Sequence, residues 1–235
     1  MAEKASLKQR IHRGDIIQGV GVPMGIDRPR LEAILSQGSY DYVSVDSQHE
    51  AFSEDRLVAV CAMAEDLDIP VMFRITHTRH AYLIGRYLDL GPSSIMVPEV
   101  KDEATVDEAI AFFYYPQVGR RSWGGNARRG IKTRPDRLEY AAWWNAYGVL
   151  CFQLESVDAI TNARRLAKSG IDFVTFGPND LSYSLEAYPE YPFKTVDDCV
   201  RHVIAQLKGS DVKVGMGART PEERARYIEM GVTVF

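Results

Sequence analysis

Cysteine is scarce in this chain and its spacing does not suggest pairing. The 235 residues contain three cysteines, Cys61, Cys151 and Cys199. An odd number at wide spacing argues against a disulfide framework, and no CxxC pair points to structural zinc. The pattern favours reduced thiols that pack as small apolar groups. The amino-terminal segment is polar and lacks the apolar core of a secretory signal, so we expect a cytoplasmic protein.

The chain also has no excess of basic residues and no long apolar run. Its formal net charge is −4, which gives no electrostatic footprint for nucleic acid. No apolar run approaches the roughly 20 residues that a membrane-spanning helix needs. The hydrophobic fraction of 46% and the charged fraction of 26% are those of an ordinary globular protein. The sequence therefore predicts a globular protein that binds neither nucleic acid nor membrane.

Short apolar runs alternate with amphipathic segments along the chain. Repeated strand–helix units of this kind predict a parallel sheet with right-handed crossovers, and eight of them indicate a closed (β/α)₈ TIM barrel. The rival is an open doubly wound sheet. We favour the barrel because the count reaches eight and no glycine-rich dinucleotide fingerprint follows the first strand. The predicted strands are 16–22, 41–46, 69–75, 93–100, 148–155, 171–181 with a turn at its end, 211–217 and 232–235. The predicted helices are 28–38, 53–68, 79–91, 102–115, 156–170, 195–209 and 220–231.

We expect residues 1–235 to form a single domain in which one long segment interrupts the alternation. Residues 116–147 are rich in arginine and show little apolar periodicity, so we interpret them as a basic loop insertion. The insertion is either a basic surface loop or a part that covers the active site and attracts anions. The sequence ends at or within the eighth predicted strand, with no eighth helix after it.

Polar side chains gather where the predicted strands end. The active site of a (β/α)₈ barrel lies at the carboxyl ends of its strands, so these positions are the candidates for chemistry. In chain order they are Asp46, Gln48, His49, Arg74, Glu99, Gln153, Glu155, Asn179 and Asp180.

Each of these residues has an ordinary explanation when taken alone. Glu155 could cap the following helix, and Asp180 could be a turn residue. Arg74 follows an apolar run and needs an anionic partner, which a structural ion pair with Asp46 or Glu155 would supply. His49 could be a loop histidine.

Taken together, the strand-end residues indicate enolate chemistry. Glu155 and Asp180 offer hard oxygen ligands from adjacent strands, a set suited to Mg²⁺, Mn²⁺ or a similar ion. Arg74 could bind a substrate carboxylate or an enolate oxygen, and His49 could move a proton through a bound water. A Schiff-base aldolase needs a lysine at a strand end, and these positions contain none. The set favours metal-assisted making or breaking of a carbon–carbon bond next to a carbonyl.

Five motifs resemble those of one known family. "YDYVSVDSQHE", "PVMFRI", "MVPEV", "FQLES" and "FGPNDLSYSL" are similar in order and spacing to the HpcH/HpaI aldolase family, from about residue 15 to the end of the sequence. These are class II pyruvate aldolases. The resemblance implies a barrel enzyme that uses Mg²⁺, Mn²⁺ or Co²⁺ and reversibly cleaves a 4-hydroxy-2-oxo acid to pyruvate and an aldehyde through a metal-stabilised enolate. It also implies a homo-oligomer, often a hexamer.

The resemblance implies roles at matching positions. Glu155 and Asp180 would be the metal ligands. His49, oriented by Asp46, would be the acid and base, acting through a water on the metal.

The remaining implied roles concern the substrate. Arg74 would bind the keto oxygen and stabilise the enolate, and Gln153 would contact the 2-oxo acid. The backbone N–H groups of Asn179 and Asp180 would hold its carboxylate.

Three features depart from the family pattern. Gln48 stands where the family usually has glutamate, Arg121 is followed by Ser122 and Trp123 instead of glycine, and the sequence ends before the family's last strand-end contacts and subunit-packing helix. Two alternatives stay open, and the altered loop makes the first of them plausible. One is another enolate-forming barrel enzyme, such as a CoA-ester lyase, a phosphonate or 2-oxo acid lyase, or a decarboxylase. The other is a non-catalytic binding or assembly barrel.

Overall fold

The strands form one parallel sheet in chain order. The computed structural model describes residues 5–235, so the first four residues of the polar amino-terminal segment lie outside the described part. Every neighbouring pair of strands is parallel, which confirms the predicted α/β architecture. The strands are β1 (Gly19–Gly21), β2 (Tyr42–Asp46), β3 (Val71–Arg74), β4 (Ser94–Val97), β5 (Val149–Leu154), β6 (Phe173–Phe176) and β7 (Lys213–Val214).

Helices connect and cover the strands, and most begin at a side-chain cap. Asp27, Asp102 and Thr220, for example, each accept a hydrogen bond from a backbone N–H of the first turn. Within residues 5–235, no helix combines the length and apolar character needed to cross a membrane. The helices are α1 (Leu7–Arg13), α2 (Arg28–Leu35), α3 (Glu54–Asp66), α4 (Ile84–Leu88), α5 (Glu103–Phe113), α6 (Arg137–Tyr147), α7 (Val157–Thr161), α8 (Ala163–Leu166), α9 (Pro178–Ala187), α10 (Val196–Leu207) and α11 (Pro221–Met230). Short 3₁₀ turns precede α4 at Thr78–Leu83 and α6 at Ile131–Thr133.

The eighth predicted strand is present only as isolated bridges. Val234 pairs in parallel with Ile17 and with Gly215, on either side of the gap between the edges of the sheet. The N–H of Gly19 donates to the carbonyl of Phe235 at 2.6 Å. Because β7 has two residues and β1 three, no regular ladder forms here. The described sheet is therefore a curled seven-stranded one, and not the regular eight-stranded barrel that the count of units predicted.

Three helices lie where the sequence predicted none. α1 has two buried apolar residues, Leu7 and Ile11, in an otherwise polar stretch. α9 begins in a Gly-Pro-Asn-Asp sequence that we interpreted as a turn, with Pro178 at its first position. α6 occupies the last third of the predicted loop and buries Tyr140 and Trp144.

The arginine-rich segment 116–147 packs against the amino ends of the strands. Arg121 has a fully buried side chain that donates to Asp89 at 2.9 Å, and Arg129 donates to the carbonyl of Ile69 at 2.9 Å. Asp89 and Ile69 precede β4 and β3, so the segment lies opposite the strand ends at which the site was expected. Both interpretations of a basic loop are thus wrong for these two arginines, which are neither on the surface nor over the predicted site.

Helix α1 closes the amino end of the sheet with a buried ion cluster. Asp172 is 1% exposed and accepts from the Leu150 N–H at 2.8 Å. Lys8 Nζ lies 3.0 Å from Asp172 Oδ1, and His12 Nε2 lies 2.6 Å from the same oxygen. One buried carboxylate therefore joins α1, β5 and β6.

We expect Asp172→Asn to lower the free energy of unfolding by about 3 kcal/mol, because breaking a buried pair leaves Lys8 without its charge partner. Urea unfolding followed by circular dichroism measures the change. Asp158→Asn, at an exposed position on α7, is the control and should change stability by less than about 0.5 kcal/mol. Equal stability of the two variants would contradict a structural role for the cluster.

Candidate active site

An arginine–carboxylate pair joins the ends of two neighbouring strands. Asp46 and Arg74 are the last residues of β2 and β3 and face each other in register. Arg74 Nε donates to Asp46 Oδ1 at 2.7 Å, and a second N–H of the guanidinium donates to Oδ2, which is a bidentate contact. Arg74 Nη1 also donates to Gln153 Oε1 at 3.3 Å. These contacts fix the guanidinium at the predicted site. The ion pair with Asp46 is also the structural explanation for Arg74 that the sequence analysis gives.

Asp46 accepts hydrogen bonds from Arg74 and from the Gln48 N–H. Burial alone would raise the pKa of Asp46, but hydrogen bonds from Arg74 and from the Gln48 N–H lower it below its ordinary value. His49 is exposed, and no hydrogen bond described for residues 5–235 joins it to the other predicted site residues. Its charge acts on Asp46 only at a distance. Arg74 and the Gln48 N–H bind the Asp46 carboxylate in this structure, so the orientation of His49 by Asp46 stays a prediction.

Glu155 is a buried carboxylate with one oxygen in use and one free. It directly follows β5 and is 6% exposed. Its Oε1 accepts from the N–H of Glu99 at 2.6 Å, whereas Oε2 is buried with no hydrogen-bond partner among the described residues. A Cβ at Gly177 would overlap Oε2 and lie 2.7 Å from Gln153 Nε2, so only glycine fits beside the free oxygen.

The environment of Glu155 favours its protonated form. Burial raises the pKa of Glu155 to about 7, and the negative charges of Asp180 and Glu99 add to the rise. The N–H of Glu99 and the charge of Arg74 oppose it. A carboxyl with this pKa and an unpartnered buried oxygen is a marker of a functional site. A cation placed next to it would compensate the burial of its charge.

Asn179 and Asp180 lie in the first turn of α9, which starts directly after β6. Both side chains are exposed, and the charge of Asp180 reaches Glu155. The first turn of a helix has free N–H groups and a positive dipole end, which suits an anion. The structure thus brings Glu155, Asp180, Gln153 and Arg74 to one end of the sheet.

The residues present fit a hard divalent cation that keeps open positions. The free oxygen of Glu155 and the carboxylate of Asp180 are of the donor type that Mg²⁺ and Mn²⁺ prefer. No group of three or more histidine, cysteine, aspartate or glutamate side chains within residues 5–235 is arranged to hold a metal. A cation here would therefore complete its coordination with water or substrate oxygens, as catalytic sites do.

Sequence reasoning gave no role to Glu99, whose backbone N–H the structure directs at Glu155. Its backbone is in the left-handed region at φ 52°, a conformation that is uncommon for a residue with a side chain. Its N–H holds Glu155, and its Oε1 accepts from Gln48 Nε2 at 2.8 Å. Its position after β4 was visible in the sequence, but the backbone conformation that turns its N–H toward Glu155 was not.

We expect Gln48→Glu to destabilise the protein by about 1 kcal/mol at pH 8, because it would set a second carboxylate against Glu99. The difference should disappear near pH 4, because repulsion between carboxylates weakens in acid. Thermal unfolding at the two pH values measures it. Gln48→Met, which removes the hydrogen bond without adding charge, is the control and should show no such pH dependence. An equal effect of Gln48→Glu at both pH values would contradict the contact.

A cavity of about 950 Å³ opens at the other end of the sheet and has a different character. It lies beside residues that precede β2 and β3, including Tyr40 and Ile69. One of its arginines, Arg10, forms an ion pair with Asp41. Because none of the strand-end carboxylates lines it, this cavity is not the candidate site.

The comparison with known proteins agrees with the motifs. The profile of the HpcH/HpaI aldolase/citrate lyase family matches residues 24–233. The 5-keto-4-deoxy-D-glucarate aldolases of Salmonella gallinarum and Citrobacter koseri are each 25% identical over 217 residues, which is 91% of this chain and 83% and 82% of those proteins.

Solved structures of similar proteins share the fold over nearly the whole length. The HpcH/HpaI aldolase of Desulfitobacterium hafniense superposes with a TM-score of 0.84 at 25% identity, covering 98% of this chain and 89% of that one. Citrate synthase SbnG gives 0.82 at 27% identity with the same coverage of both chains. Macrophomate synthase, at 20% identity and a TM-score of 0.80, shows the same fold. By its match over most of the chain, the protein belongs to the HpcH/HpaI aldolase/citrate lyase family and is a carbon–carbon lyase.

Proposed function

We propose that the protein is a divalent-metal-dependent class II aldolase that reversibly cleaves a 4-hydroxy-2-oxo acid to pyruvate and an aldehyde. The observation that carries the proposal is the free buried oxygen of Glu155, set beside Gln153 and within the electrostatic reach of Arg74 and Asp180. The named activity of the curated relatives, an aldolase acting on a keto-deoxy sugar acid, supports the same reaction type.

Glu155 and Asp180 would hold the ion, which is Mg²⁺, Mn²⁺ or Co²⁺. When bound, it supplies a Lewis acid that favours negative charge on the keto oxygen. Arg74 donates N–H groups to that oxygen, and its clamp by Asp46 keeps the guanidinium in place before charge develops.

Binding and proton transfer fall to the remaining residues. Gln153 would contact the 2-oxo acid, and the first-turn N–H groups of Asn179 and Asp180 would hold its carboxylate. His49 would take the proton from the C4 hydroxyl through a water. The C3–C4 bond then breaks, its electron pair enters the enolate of pyruvate, and a proton returned to C3 completes the products.

Metal-dependent pyruvate release tests the proposal. Purified protein should release pyruvate from short 4-hydroxy-2-oxo acids in Mg²⁺ or Mn²⁺, and EDTA should stop the release. Release that EDTA leaves unchanged would contradict the metal, and no release from any such acid would contradict the aldolase. Calorimetric titration with Mn²⁺ distinguishes a metal-dependent enzyme from the non-catalytic barrel. For the non-catalytic barrel we expect no binding at millimolar metal.

A second candidate is another enolate-forming reaction, in which the enolate adds to a carbonyl in the synthetic direction. The structural similarity to citrate synthase SbnG favours it. The CoA-ester lyase, phosphonate lyase and decarboxylase alternatives share the same enolate step. Pyruvate methyl-proton exchange without any aldol cleavage would favour this group over the aldolase.

We also propose three larger-scale properties of the chain. The edges of the sheet close into an eight-stranded barrel through 232–235, which the bridges of Val234 support. The protein is a homo-oligomer, and the exposed Val118 and Trp123 support an interface. Light scattering tests whether it is a hexamer. A cytoplasmic location is supported by three free, buried cysteines.

A further inference from the structure

Glu99 and His77 form a donor–acceptor pair at the rim of the candidate site. His77 lies three residues beyond Arg74, and Glu99 lies two residues beyond the end of β4. His77 Nε2 and Glu99 Oε2 are 3.8 Å apart, and about half of each side chain is exposed. The aldolase mechanism proposed above uses neither side chain, although the backbone N–H of Glu99 donates to Glu155.

The hydrogen bonds around the pair fix which atoms are available. His77 Nδ1 accepts from the N–H of Arg79 at 3.0 Å, so a neutral ring carries its proton on Nε2. Glu99 Oε1 is held by Gln48 Nε2 at 2.8 Å, which leaves Oε2 toward the histidine. The pair therefore presents one N–H donor and one carboxylate acceptor, and a hydrogen bond to the other polar atom of each side chain holds it in place.

The spacing of the two atoms suits a hydroxyl group. At 3.8 Å the histidine and the carboxylate are too far apart for a good hydrogen bond to each other. An oxygen about 2.8 Å from both can accept from Nε2–H and donate to Oε2, because a hydroxyl is donor and acceptor at once. A carboxylate or phosphate would instead meet the negative charge of Glu99, and an alkyl group would satisfy neither atom.

We propose that Glu99 and His77 form a hydroxyl-binding subsite that selects the aldehyde. The inference rests on the proposed aldolase function and adds the class of its second substrate, a hydroxylated and uncharged aldehyde. The location supports this assignment, since the backbone of Glu99 touches Glu155 while its side chain faces outward at the rim. In the proposed reaction the aldehyde would leave the enolate on this solvent-exposed side.

Aldehyde selectivity in the synthetic direction tests the subsite. The assay gives kcat/KM for condensation of pyruvate with glycolaldehyde, with acetaldehyde, which lacks the hydroxyl, and with glyoxylate, which is anionic. We expect the wild type to prefer glycolaldehyde to acetaldehyde by about tenfold or more, the size of one hydrogen bond to a charged group. Glyoxylate should be the poorest of the three substrates.

Two variants and one matched control are needed. Glu99→Gln keeps an oxygen for Gln48 and removes the acceptor. His77→Asn keeps an acceptor for the Arg79 N–H, and its shorter side chain places no donor at the position of Nε2. Each should bring the ratio of glycolaldehyde to acetaldehyde close to one, and Glu99→Gln should also improve glyoxylate. Glu50→Gln removes the same charge from the same rim and should leave the ratio unchanged. Because each ratio is taken within one variant, a general loss of activity does not affect it.

A second measurement distinguishes a wrong assignment of the subsite from a wrong proposed function. Exchange of the pyruvate methyl protons in D₂O with Mg²⁺, followed by NMR, reports enolate formation without an aldehyde. Exchange together with an unchanged ratio in both variants would overturn the subsite alone. Absence of exchange and of condensation in the wild type would overturn the aldolase and the subsite with it.

Discussion

Replacing Glu155 with glutamine should lower the aldolase activity by at least about a thousandfold while making the metal-free protein more stable. The loss follows from removing one of the two carboxylates proposed to hold the ion, whose stabilisation of developing charge amounts to several kcal/mol. Calorimetric titration with Mn²⁺ should show no binding to the variant at concentrations that saturate the wild type. Activity and metal binding are expected to fall together.

The gain in stability follows from the raised pKa of Glu155. The folded protein binds this proton up to about pH 7, whereas the unfolded chain loses it near the ordinary value of 4.5. Without metal, the wild type should therefore lose stability as the pH rises from about 4.5 to 7. Glutamine carries no charge at any pH, so Glu155→Gln should be more stable than the wild type by about 1–2 kcal/mol at pH 8. The two should not differ near pH 4.

Urea unfolding at the two pH values, with EDTA and then with saturating Mg²⁺, measures this. Magnesium should stabilise the wild type but not Glu155→Gln, because a ligand stabilises the state that binds it. Glu186→Gln, at an exposed position on α9, is the charge-matched control and should behave as the wild type in all four conditions. A Glu155→Gln protein that is less stable at pH 8, yet still binds Mn²⁺, would show that this carboxylate is structural.

The sequence predicted the arrangement of the site better than its contacts. Alternation of apolar strands with capped helices places the carboxyl ends of consecutive strands side by side, and Asp46, Arg74, Gln153 and Glu155 indeed meet there. Which atoms bond to which depends on backbone angles of single residues. The positive φ of Glu99 turns its N–H to Glu155, and no pattern of residue types marks it.

The amino end of the sheet was the least predictable part. The composition of 116–147 predicts a basic loop. A search for apolar periodicity does not count arginines as buried residues, even where they pack on aromatic rings. Arg121 lies 4.8 Å from the ring of Tyr115 and 4.6 Å from that of Trp144, and is buried for that reason. The apolar alternation of the short segment 232–235 predicts a full strand. It does not reveal how few residues of the neighbouring strands are placed to pair with the segment.

Arg74→Lys should lower kcat for aldol cleavage by about a hundredfold or more, although it keeps the positive charge. Lysine cannot reproduce the fork that binds both oxygens of Asp46 and also reaches Gln153. Loss of one preorganised donor to a developing oxyanion typically reduces the rate a hundredfold to a thousandfold. Methyl-proton exchange of pyruvate should fall by a similar factor, because Arg74 acts on the enolate. Arg86→Lys, in an exposed pair with Glu54, is the control and should leave both rates unchanged.

The same variant decides between two roles for Asp46. If Asp46 acts by clamping Arg74, as the hydrogen bonds indicate, Asp46→Asn alone should be costly but should reduce the rate of Arg74→Lys only slightly further. If it instead orients His49, as the motif implied, the two losses should multiply in the double variant. A double-mutant cycle on kcat measures the coupling. We expect a coupling of about tenfold or more. Both oxygens of the Asp46 carboxylate bind one guanidinium, so the carboxylate is poorly placed to accept a further hydrogen bond from a histidine.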